Sequence, residues 1–145
     1  LGGHSMGAVH GSQLFAKLLQ EKDSNNSNHG LSSLSWNKML YCGVGYIDDP
    51  TNLLNHDNTL IVQASNDGLK SVYSEEARAS SAAKYTFLQL EGGNHAGIGY
   101  YGPQTFPMKD GERTITLDDQ QQKTADAMVQ FVLGRKVRGA TSRKR

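Results

Sequence analysis

A chain of 145 residues with 37% hydrophobic content is long enough for one ordinary domain and short for two. No apolar run approaches the ~18 residues of a membrane-spanning helix, and a single cysteine, Cys42, excludes an internal disulfide. The net charge of +1 hides an asymmetry, because all 14 acids lie before Gly134 while the last eleven residues, "RKVRGATSRKR", carry six basic side chains and no acid.

The opening "LGGHSMGA" holds a glycine–X–serine–X–glycine pattern, with Gly3 and Gly7 flanking Ser5. Glycines at those positions permit a sharp strand-to-helix turn with serine at its apex, where flanking side chains would collide. The following "MGAVHGSQLFAKLLQ" predicts a helix whose buried stripe runs through Gly7, Gly11, Leu14, Phe15 and Leu18. "EKDSNNSNHG" is a polar loop, and "KMLYCGVGYI" is a continuous apolar run expected of a strand buried on both faces. Within that run Cys42 reads as a small buried residue. "DDPTNLLNHDN" connects to a second such strand, "TLIVQAS".

"SEEARASSAAK" predicts a helix with a serine start, acids in its first turn and a final lysine. "YTFLQLE" is a third strand, and a glycine- and proline-rich loop follows it. Thr116 and Asp119 predict the start of a last helix, buried through Ala125, Met128, Val129 and Val132 and capped by Gly134.

Strand and helix alternate throughout, which predicts an α/β fold with parallel strands. Three full strands and a stub at Leu1 are too few to cover two faces and protect two edges. The expectation is the C-terminal half of a larger, mostly parallel sheet flanked by helices, with its N-terminal strands missing. Residues 1–134 would form that incomplete domain, and 135–145 a disordered basic tail. Without finger spacing or an aromatic-and-basic platform, nucleic-acid recognition is not expected. Scattered histidines without paired spacing give no metal site.

A serine hydroxyl needs a base, and the base needs an acid to fix its tautomer. Five histidines compete. His4 adjoins the serine on a turn where neighbouring side chains diverge, and His10 lies on the helix away from its glycine stripe. His29 sits in the polar loop, and His56 precedes a strand and so falls at the wrong end of a parallel sheet. His95, in "EGGNHAG", follows the third strand, at the same end as Ser5. Asp67 follows the second full strand at that end, Asp48 and Asp49 follow the first, and each is a candidate acid. Asp67 also precedes Gly68, a common turn pairing. Met6 N–H, at the head of a helix, suits an oxyanion.

Taken in order, "GGHSMGA", "LIVQASNDGL" and "LEGGNHAGIGYYGPQ" resemble the α/β-hydrolase superfamily, and in particular its small, nearly cap-less branch related to dienelactone hydrolases and serine carboxylesterases. That branch surrounds its histidine with G-G-N-H-A-x-x-G-x-Y-G-P-Q, matched from Gly92 to Gln104. The resemblance covers nearly all of Leu1 to Gly134. It implies Ser5 as nucleophile, Asp67 as orienting acid, His95 as base and Met6 N–H as half of an oxyanion hole. The family's earlier strands and the loop giving a second oxyanion donor have no counterpart, so the chain is expected to start inside such an enzyme.

The activity implied is cleavage of a small-molecule carboxylic ester through an acyl-enzyme, without a cofactor. His4 and Tyr100 are candidate substrate contacts, and Tyr100 or Tyr101 could equally pack in the core. The alternative is a non-catalytic hydrolase fragment or a hydrolase-derived binding module, since half a sheet exposes an apolar edge.

Overall fold

The computed structural model describes residues 1–23, 37–47, 49, 52–100 and 102–141. His29, Asp48, Tyr101 and most of the polar loop after the first helix lie outside them. The protein is α/β, with a four-stranded, all-parallel sheet in sequential order: β1 (Gly2–His4), β2 (Met39–Cys42), β3 (Thr59–Ala64) and β4 (Thr86–Leu90). The stub at Leu1 is thus a paired strand, in register Gly2 to Leu40 and His4 to Cys42. Helices α1 (Met6–Asp23), α2 (Glu75–Lys84) and α3 (Leu117–Val132) complete the chain, with 3-10 turns at Gly68–Val72 and Ala96–Ile98. Among the described residues no helix is long and apolar enough to cross a membrane.

The apolar runs form strands because both faces of the sheet are covered. Met39, Tyr41, Ile61 and Phe87 point to one side, where they meet Ala8 and Phe15 of α1 and the partly buried Ala82 of α2. Their alternates, Cys42, Leu60, Val62, Leu88 and Leu90, meet Ala127 and Phe131 of α3. Every residue of β3 is buried, as expected of a central strand without a solvent face. Cys42 is buried, and that burial pushes its thiol up to about 12, leaving it inert as an ordinary nucleophile.

The helix ends follow the predicted chemistry. Ser74 accepts from Ala77 N–H, and Thr116 accepts from Asp119 N–H. Gly134, at φ +67, closes α3 with its own N–H on the Phe131 carbonyl and Arg135 N–H on the Gln130 carbonyl.

The helix faces differ from expectation. On α1 the buried residues are Ala8, Ser12, Phe15 and Ala16, while Gly7 and Leu14 are exposed. On α3 they are Gln120, Thr124, Ala127 and Phe131, while Ala125, Val129 and Val132 are exposed and Met128 is only partly covered. Polar side chains hold the inner positions because each has a partner there. Thr124 Oγ1 donates to the Gln120 carbonyl at 2.8 Å, and Gln120 itself grips a loop described below.

The segment read as a disordered tail is docked over its first seven residues. Val137 is 4% exposed within the α3-side core, and Arg138 N–H donates to Gln130 Oε1. Thr141 makes an antiparallel bridge to Phe87, on the side of β4 away from β3. The apolar Val137 and Ala140 interrupt the basic run and supply that packing.

Candidate active site

Parallel strands deliver the loops after β1, β3 and β4 to one end of the sheet. Ser5 stands where β1 meets α1, with φ +55, a left-handed conformation costing about 1 kcal/mol or more for a residue with a Cβ. The turn is held by Ser5 N–H on the Cys42 carbonyl at 2.9 Å, and by Ala8 and Val9 N–H on the Ser5 carbonyl. Met6 N–H opens α1 and belongs to the first-turn amides that helix geometry leaves without an intrahelical acceptor.

Asp67 ends the loop after β3 and is buried. Its two oxygens have separate tasks. Oδ1 accepts from Leu69 N–H at 2.8 Å, capping the 3-10 turn, and Oδ2 faces His95 Nδ1 at 2.9 Å. Asp67 thus caps the turn and contacts the His95 ring at the same time. His95, after β4, is 2% exposed. A carboxylate only accepts, so Nδ1 carries the hydrogen of this bond.

His4 packs its ring on His95, with centroids 4.5 Å apart. The contact between the serine strand and the histidine loop runs through this ring, and among the described residues no hydrogen bond joins the Ser5 hydroxyl to His95. Gly43, at φ +67, permits the stacking, since a Cβ there would lie 2.8 Å from both imidazoles.

Burial first, then the neighbouring His95, pushes His4 down to about 4, with Asp67 and Asp110 opposing. The unfolded chain binds this proton near pH 6.5 and the folded chain only near pH 4. Stability attached to the ring is thus complete above pH 6.5 and drains away as pH falls toward 4. In thermal melts across that range, His4→Gln is expected to flatten part of the acid-side fall in Tm. An unchanged slope would mean that the ring is freely solvated.

The competing residues are engaged elsewhere. Asp49 forms a salt bridge with Lys84 at 2.9 Å and accepts from Leu54 N–H, toward the opposite end of the sheet. His56 binds the Ala83 carbonyl at that same end, and His10 is exposed on α1. Tyr100 is 81% exposed and does not pack in the core. A cleft of about 1000 Å³ lies at the opposite end too, lined by Lys38, His56, Lys84 and Phe131 among others, and does not reach the His95 loop.

Three supporting residues escaped sequence reasoning. Gln120 Oε1 accepts from Asn94 N–H at 3.1 Å while its Nε2 donates to the Asn94 carbonyl at 2.6 Å. Asn94 in turn accepts from Gly97 N–H and donates to the Gly111 carbonyl. Asp110 accepts backbone N–H groups from both the Asp67 and His95 loops. Their available signal was a polar residue at a helix-core position and an Asp-Gly pair inside a long loop. Among the described residues no group of histidine, cysteine and carboxylate side chains could hold a metal ion.

No family model, curated protein or solved structure matches this chain.

Proposed function

We propose that the chain carries the reactive centre of a serine hydrolase of α/β-hydrolase type, acting on a carboxylic ester. The observation that carries this reading is the buried Asp67–His95 pair, at the end of the sheet where Ser5 sits in a left-handed turn at the head of a helix. The fold itself offers a plainer frame, a parallel α/β sheet, which hosts many activities.

In this reading His95 Nε2 takes the Ser5 proton as Oγ attacks the ester carbonyl. Asp67 keeps the imidazole in the Nδ1–H tautomer and stabilises the imidazolium. Met6 N–H meets the developing oxyanion, aided by the positive end of α1. His95 then returns the proton to the leaving alcohol, and water cleaves the acyl-enzyme by the reverse route. In this reading the Ser5–His95 hydrogen bond forms on substrate binding, since catalytic contacts often tighten only in the complex.

The test is covalent labelling with a fluorophosphonate. Ser5 is expected to be labelled in the 145-residue chain, and Ser5→Ala to abolish it. Labelling that persists in Ser5→Ala, or that never occurs in the unaltered chain, would remove the hydrolase reading and favour a binding module.

A further inference from the structure

Asp67 and His95 sit on loops that leave different strands. Near their bases the loops are joined by Asn66 N–H on the Gly93 carbonyl and by Gly92 N–H on Ser65 Oγ, each at 2.9 Å, and further out by the Asp67–His95 bond. A third segment ties their outer parts together. The stretch Asp110–Gly111–Glu112 lies across both loops and binds each through its backbone. Gly111 N–H donates to the Asn66 carbonyl at 3.0 Å, Asn66 Nδ2 donates to the Glu112 carbonyl, and Asn94 Nδ2 donates to the Gly111 carbonyl. The approach is close: a Cβ on Gly68 would fall on the Lys109 carbonyl and within 2.9 Å of Asp110 Cα.

From this third segment one side chain, Asp110, binds both loops at once. Asp110 Oδ1 accepts from Gly68 N–H at 2.9 Å and from His95 N–H at 3.1 Å, and Oδ2 accepts from Ala96 N–H at 2.8 Å. The first donor follows Asp67 in the chain, and the second is the backbone of His95 itself. Three donors converging on two oxygens require a group that only accepts. An amide in its place would turn an NH2 toward an N–H.

We propose that Asp110 is a positioning residue, whose carboxylate sets the separation of Asp67 from His95 by holding the backbones of both loops. The proposal rests on the hydrolase reading for its purpose, but not for its test. The probe is the downfield proton resonance of His95 Nδ1–H, identified as the line lost in His95→Gln and observed in the 145-residue chain without substrate. Asp110→Asn, which nearly conserves shape, and Asp110→Ala are each expected to broaden that line or move it upfield, while the circular dichroism stays native. Fluorophosphonate labelling of Ser5 is expected to slow about 100-fold in both, the scale of a small misplacement of a reacting group.

A line that keeps its wild-type position and width in both variants would overturn the proposal. So would collapse of the whole fold in Asp110→Asn, since the carboxylate would then be supporting the domain and not the pair. If the unaltered chain never labels yet the resonance responds to Asp110→Asn, the hydrolase reading falls and the positioning role stands.

Discussion

Gly3→Ala is expected to destabilise the fold by about 3 kcal/mol or more, and Gly7→Ala to leave it unchanged or stabilise it by about 0.5–1 kcal/mol. The two glycines look equivalent in "GGHSMGA", and both satisfy the steric rule for a tight serine turn. They differ in what surrounds them. A Cβ on Gly3 would fall on the Gly7 carbonyl and lie 2.7 Å from Ala8 N, all rigid helix backbone. Relief would require α1 to move off β1, which would disturb the Ser5 turn between them. A Cβ on Gly7 meets nothing within 4 Å among the described residues, and alanine favours the helix. Urea unfolding of the two variants checks this, and equal losses in both would show that the turn is set by something other than the α1–β1 approach.

Asp67→Asn should lower the turnover of an activated ester by about 10⁴-fold with little change in KM, because an asparagine can hold the imidazole in the wrong tautomer. Asp49→Asn should leave turnover alone and cost about 1 kcal/mol in stability, since it weakens the contact with Lys84. The contrast separates two carboxylates that sequence order left in competition. Equal loss of turnover in the two variants would contradict the assignment of the acid. Full activity in Asp67→Asn would do so as well.

The strands were legible because burial on both faces demands a largely apolar run, and "TLIVQA" departs from one only at Thr59 and Gln63. The caps were legible because Ser74, Thr116 and Gly134 act on backbone only a few positions away, within reach of local pattern. That Asp67 and His95 share one end of the sheet was legible too, because parallel strands send every following loop to the same end, but that rule alone did not separate Asp67 from Asp48 and Asp49.

Helix faces were not. The positions of α3 with the strongest apolar pattern, Val129 and Val132, are exposed, and Gln120 is fully buried. Hydropathy cannot recognise a buried amide whose partner is the Asn94 backbone, 26 residues earlier. Asp110 escaped for the same reason, with donors at Gly68, 42 positions away, and at His95, 15 positions away. Val137 was obscured by the arginines and lysines around it, although with Ala140 it carries the packing of that segment.

The two margins of the sheet are unlike. Thr141 bolts the outer rim of β4, whereas among the described residues β1 has a bonded neighbour on one flank only. Among the described residues the unpaired flank of the sheet is therefore Gly2–His4, the side on which a further strand would add. That short strand runs straight into Ser5, so a strand added there would buttress the turn that carries the hydroxyl.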